Sequence, residues 1–200
     1  MSRMTINGNP VEFDLDPRMP LLYALREAAN LTGTKSGGGQ ENCVCGVCMV
    51  LIDGVALRSC RITLAEAEGR VITTIEGVSG DRSHPMQQAM VAEQAIQSGY
   101  STPAQVICGA ALLERNANPT DEEIVEALGA VYCRDGTYPR IARAVKRASR
   151  IMRRQESASA APAPGISAAD AAAAVPALRA PDETRPDEAS SGEDASSPEP

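Results

Sequence analysis

Apolar and polar positions alternate at the start of the chain and then change period. Residues 3–6 and 11–14 read as two short strands either side of Asn7-Gly8. That dipeptide suits a two-residue hairpin turn because both residues tolerate positive φ. In Pro20–Asn30, PLLYALREAAN, the residues Leu21, Leu22, Leu25 and Ala28 recur at helical spacing. Proline fits the first turn, where its missing N–H leaves nothing unpaired. Met49–Ile52 and Val55–Ser59 read as strands around Asp53-Gly54, a second tight turn. Thr63–Glu68 predicts a turn of helix and Val71–Ile75 a last strand. Gly77–Ser83 is rich in Gly and Ser and reads as a linker.

Beyond that linker the period is helical. Helices are predicted over Pro85–Gln97, Thr102–Arg115, Thr120–Leu128 and Tyr138–Arg154. Thr102 is placed to cap the second, with Pro103 at its first position. Thr120 and Glu123 form the capping-box pattern of the third. Four short helices with short connections predict a compact four-helix bundle. The class is α+β, with strands concentrated in the first half and helices in the second.

Charge changes the picture only at the C-terminal end. The net charge is −7, but Glu156–Pro200 alone holds nine acids and two bases. Residues 1–155 are therefore neutral overall, and bulk charge gives no reason to expect nucleic-acid binding. The stretch from 155 to 200 is Ala, Pro and Ser with acids and almost no large apolar residue. Ordering it would bury too little surface to offset the lost chain entropy, so disorder is expected. No apolar run is long enough to cross a bilayer, and no secretory signal is recognisable at the start of the sequence. Clustered cysteines without such a signal point to metal ligation in a reducing cytoplasm. The helix Arg140–Arg154 carries seven bases and no acid. A solvated face explains that, and docking on an acidic partner or on the chain's own tail is the alternative.

The candidate chemistry lies in Thr34–Cys60, TKSGGGQENCVCGVCMVLIDGVALRSC. Cys43, Cys45, Cys48 and Cys60 follow C-x-C-x2-C-x11-C, preceded by Gly37, Gly38 and Gly39. Four thiolates on one loop and a nearby strand can enclose an iron–sulfur cluster or a single zinc. Glycines let such a loop turn backbone amides towards sulfur. Packing of small buried cysteines is the simpler reading, but it does not call for three cysteines within six residues. Cys108 lies inside a helix and reads as core. His84, the only histidine, reads as a helix-start residue before Pro85.

Cys45-Gly-Val-Cys48, then MVLIDG, then Ser59-Cys60, together with LTGTK at Leu31–Lys35, resembles the plant-type ferredoxin motif of one family. That family is the small iron–sulfur subunits of molybdenum hydroxylases: xanthine dehydrogenase, aldehyde oxidoreductase and carbon monoxide dehydrogenase. The resemblance implies a β-grasp, ferredoxin-like domain over residues 1–77, a linker at 78–83 and a helical [2Fe–2S]-binding bundle over 84–154, with the tail at 155–200. The family pattern is K-x-G-C-x4-C-G-x-C-x11-C. Here Gly38 stands where its first cysteine falls and the loop is two residues longer, which leaves Cys43 as first ligand. In the second half the family pairs C-G-x-C-T-P-G with C-R-C-T-G-Y. Here Ser98, Ser101, Cys133 and Asp135 occupy the ligand positions. A serine hydroxyl gives up its proton far less readily than a thiol, so an ordinary second cluster is not expected.

The resemblance implies an electron-transfer subunit with one [2Fe–2S] cluster on Cys43, Cys45, Cys48 and Cys60. Its partners would be a large molybdopterin-binding subunit, with a flavin or haem (cytochrome) subunit beside it. No catalytic residues are expected in this chain, which has no nucleophile–base arrangement, P-loop or dinucleotide fingerprint. Two alternatives stand beside it: a docking subunit without electron relay, and a zinc-binding adaptor.

Overall fold

A computed structural model describes residues 1–38, 44–81 and 83–156. The expected disorder of the tail and the ligand position Cys43 lie outside the described residues. Strands β1 (Ser2–Ile6) and β2 (Asn9–Phe13) form the predicted hairpin, with Asn7 at φ 50° and Gly8 at φ 81°. Strands β3 (Met49–Ile52) and β4 (Val55–Arg58) form the second, with Asp53 at φ 50° and Gly54 at φ 82°. Strand β5 (Val71–Thr73) enters between the hairpins, parallel to β1 and antiparallel to β3. The mixed sheet has the order β2-β1-β5-β3-β4.

β3 explains its unbroken apolar sequence. Alternate side chains leave opposite faces of a strand, and all four residues of β3 are buried. Val50 and Ile52 join Met4, Ile6, Leu21, Leu25, Leu64 and Ile72 in one core. Met49 and Leu51 join Ala104, Ile107, Cys108 and Val131 in another, which ties the sheet to the helical half. A third core, built on Met86, Met90, Leu113, Ile124, Ile141 and Val145, holds the helices together.

The predicted helix after Pro20 is present but irregular. Helix α1 (Leu21–Tyr23) runs into a π-helical turn at Ala24–Ala28. Asn30 at φ 54° then reverses the chain, and Arg26 holds the following loop by donating to the carbonyls of Thr32 and Thr34. Residues 64–69 form hydrogen-bonded turns instead of the expected helical turn. The stretch read as a linker begins in structure: α2 (Ile75–Val78) is a one-turn helix. Asn7 exchanges hydrogen bonds with Thr74, and a Cβ on Gly77 would strike the Asn7 side chain.

The helices of the second half are α3 (Pro85–Ala92), α4 (Thr102–Arg115), α5 (Asp121–Gly129) and α6 (Tyr138–Met152). α3 ends five residues earlier than its pattern predicts, because Gln94 turns left-handed at φ 50° and Ala95 donates back to Met90. His84 caps α3, its Nδ1 accepting from Met86 N at 3.1 Å. The capping box of α5 forms as predicted. Thr102 does not cap α4. It is the first helical residue, behind Ser101, and its hydroxyl donates to Ser98 O.

Candidate metal centre

Cys45, Cys48 and Cys60 sit where three segments meet. Cys45 is half-buried on the loop entering β3, Cys48 is 1% exposed at its start, and Cys60 is half-buried in the 3-10 turn after β4. Hairpin pairing brings the last two segments together, since Met49 faces Arg58. Ser59, fully buried, tightens the join: its N–H and hydroxyl donate to Cys48 O at 3.1 and 2.8 Å. All three thiols are free of disulfides.

Two glycines make room here. A Cβ on Gly37 would lie well inside 3.0 Å of Cys45 Sγ, so the preceding loop lies directly against that sulfur. Gly46 has φ 70°, and a Cβ there would collide with Ala130 O, with Ala130 C at 2.9 Å and Val131 Cα at 3.0 Å. That close approach lets Tyr132 N donate to Cys45 O at 2.9 Å. Arg58 bridges the same gap, its Nη2 donating to Val44 O at 3.2 Å and Ala130 O at 3.3 Å. The Tyr100 hydroxyl reaches across to Ser36 O. The sequence singled out the cysteines and the glycine run. It did not reveal Arg58, Ser59, Tyr100 or Tyr132, whose only sequence signal is nearness to the cysteines or to the second pair of loops.

Among the described residues, no three His, Cys, Asp or Glu side chains gather closely enough to hold one metal ion. A [2Fe–2S] cluster shares its four thiolates between two irons. Cys45, Cys48 and Cys60 supply soft sulfur donors of the type such a group takes. Gly38 does not replace the missing cysteine of the family pattern: its φ of 116° is closed to an ordinary side chain.

The second set of positions has turned inward. Ser98 Oγ accepts from the backbone N–H of Tyr100 and of Ser101, both at 3.2 Å. Amides of this kind would otherwise address sulfur. Ser101 is 3% exposed and its hydroxyl has no hydrogen-bond partner among the described residues, nor has the buried Nε2 of Gln105, one turn on. Cys133 is half-buried, its N–H donating to the Tyr138 hydroxyl at 2.7 Å, while Asp135 is exposed. One thiol, two hydroxyls and a solvated carboxylate do not fit an ordinary [2Fe–2S] cluster. Cys108 is a core thiol, its pKa pushed up to about 12 by burial, with the charge of Arg58 opposing.

Residues 74–146 match the [2Fe-2S] binding domain family. The chain is 47% identical over 152 residues to one of the subunits of nicotinate dehydrogenase from Pseudomonas putida, covering 76% of this chain and 96% of that one. Quinoline 2-oxidoreductase from Pseudomonas putida 86 superposes with a TM-score of 0.70 at 37% identity, over 78% of this chain and 96% of its own. Aldehyde oxidoreductase from Desulfovibrio gigas superposes with a TM-score of 0.75 at 29% identity, over 84% of this chain. This chain spans only 19% of the length of that enzyme. No helix among the described residues is long and apolar enough to cross a membrane.

Proposed function

We propose how this chain moves electrons from one premise: it belongs to the family of small iron–sulfur, electron-transfer subunits of molybdenum hydroxylase-type oxidoreductases. Cys43, Cys45, Cys48 and Cys60 hold one [2Fe–2S] cluster. The observation that carries this is the loop Cys45-Gly46-Val47-Cys48, with the Cys45 sulfur packed directly against Gly37 of the preceding loop. When bound, the cluster accepts and passes on single electrons. The chain's own residues shape its seat: Ser59 fixes the Cys48 backbone, and Gly46 and Tyr132 fix that of Cys45. The β-grasp half is assigned to residues 1–77, the connection to 78–83, the four-helix bundle to 84–154 and the tail to 155–200.

The second loop pair, Ser98, Ser101, Cys133 and Asp135, holds no ordinary cluster. The self-satisfied Ser98 and the single thiol support this. The partners are a large molybdopterin-binding subunit, which carries the catalysis, and a flavin or haem subunit that takes the electrons. The complex works in the cytoplasm. The names of the relatives point to an N-heteroaromatic compound or an aldehyde as its substrate.

The test is iron and acid-labile sulfide on the purified complex, with electron paramagnetic resonance after reduction. About two of each per chain and one [2Fe–2S] signal are expected from this chain. No iron in this chain would overturn the relay. A docking subunit without relay is the second reading, favoured by the missing thiols of the second loop pair. The double substitution Cys45→Ser and Cys48→Ser separates the two. Assembly with lost turnover supports the relay, and assembly with full turnover supports the docking role.

A further inference from the structure

Asn7-Gly8 is the only Asn-Gly pair in the sequence. Such a pair is chemically labile: the glycine nitrogen can attack the asparagine carboxamide, and no side chain stands in the way. Gly8 is exposed to water, but the half-buried Asn7 carboxamide is not free to turn towards it. Its Nδ2 donates to Thr74 Oγ1 at 3.0 Å, and its Oδ1 accepts from Thr74 N at 2.9 Å. Thr74 is fully buried between β5 and α2, and its hydroxyl donates its one proton to Glu76 Oε2 at 2.6 Å. Glu76 Oε1 in turn accepts from Gly33 N at 2.8 Å. One chain of hydrogen bonds thus ties the first hairpin turn to α2 and to the loop that follows Asn30. Gly77 packs so closely on the Asn7 side chain that a Cβ has no room there.

We infer that Asn7 is a latent site of self-modification by deamidation, held unreacted by Thr74. Ring closure forms a bond from Gly8 N to Asn7 Cγ, breaks the Cγ–Nδ2 bond and releases ammonia. Water then opens the cyclic imide at either carbonyl and leaves aspartate or isoaspartate, with no oxidant or reductant involved. In the folded chain Cγ turns onto Gly8 N only after both bonds to Thr74 break, so the reaction waits on local opening of the turn. The product does not re-form the latch. An aspartate still accepts from Thr74 N, but it has no hydrogen for Thr74 Oγ1, whose single proton already serves Glu76. Two carboxylates then flank one hydroxyl, and like charges so placed repel. Deamidation therefore loosens the tie between the first hairpin, α2 and Gly33 irreversibly. None of this depends on which group the cysteines hold.

The full chain, incubated in mildly alkaline buffer with and without urea, tests it. Peptide mass spectrometry counts the exchange of NH2 for OH at Asn7 over time. Deamidation there is expected to run roughly thirtyfold or more faster in urea than in the folded chain, the worth of two ordinary hydrogen bonds. Thr74→Val keeps the side-chain shape without the hydroxyl and is expected to raise the folded-state rate roughly fivefold, the worth of one bond. Thr74→Ser, which keeps the hydroxyl, is expected to stay near the wild-type rate. Equal rates with and without urea, or a wild-type rate in folded Thr74→Val, overturn the inference. Asn7→Asp makes the product directly and does not depend on how the Thr74 variants fold. It is expected to lower the urea midpoint of the full chain, and an unchanged midpoint overturns the latch.

Discussion

Replacing Gly46 with alanine is the sharpest probe of how the cysteine loop is seated. Gly46 lies at φ 70°, where an ordinary L residue costs roughly 1–2 kcal/mol. The added methyl would also strike the carbonyl of Ala130, which is backbone and cannot swing aside. Relief requires pulling the loop away from the α5–α6 connection. That movement breaks the Tyr132 N–H to Cys45 O bond of 2.9 Å and the Arg58 contact to Ala130 O of 3.3 Å. At about 1 kcal/mol net each, the substitution costs about 3–4 kcal/mol in all. Gly69 is the matched control, with φ 72° and nothing within 4 Å of an added Cβ. Gly69→Ala is expected to cost only the backbone term, roughly 1–2 kcal/mol. Guanidinium unfolding of the full chain, followed by circular dichroism, measures both. A Gly46→Ala midpoint no lower than that of Gly69→Ala would refute the close approach and with it the seating of Cys45.

Three further outcomes are expected. Burial holds the pKa of His84 below its usual value, with Glu114 opposing. Its neutral Nδ1 accepts the α3 cap bond, so its stabilisation is present above the unfolded pKa of about 6.5 and is lost as pH falls through the folded value. The fall in stability between about pH 7 and 5 should therefore flatten in His84→Asn, which keeps a cap acceptor without titrating; an unchanged slope in thermal melts would count against it. Thr120→Ala removes one arm of the α5 capping box and is expected to cost about 1 kcal/mol in denaturant unfolding. Ser101→Ala deletes a buried hydroxyl without a partner and is expected to leave stability unchanged or slightly raised, whereas a loss above about 1 kcal/mol would mean that something hydrogen-bonds there.

The turns and caps were legible because local chemistry decides them. Asn7-Gly8, Asp53-Gly54 and the Thr120–Glu123 box act within four residues of themselves. The early end of α3 was less legible, since Ala95 and Ile96 continue an apolar pattern after Gln94 has already reversed the chain. The π-helical turn after Tyr23 had no sequence signal, because a widened turn arises from how Ala24 and Leu25 seat in the core. The apolar run of β3 announced a buried strand but not what would cover its second face, which only tertiary packing supplies. In the site, the thiols and Gly37 stood out by type and spacing. Arg58 did not, because an arginine at a strand end is ordinary until its neighbours are known.

The two-sided burial of β3 has a consequence for dissecting the protein. Met49 and Leu51 are kept dry by side chains drawn from α4 and from the segment after α5. A fragment cut between α2 and α3 would expose them to water next to the cysteine loop, and would also lose the supports that Tyr100 and Tyr132 provide. The halves are therefore not interchangeable cassettes. A chimera that grafts this N-terminal half onto another helical partner must carry the covering face of α4 along with it.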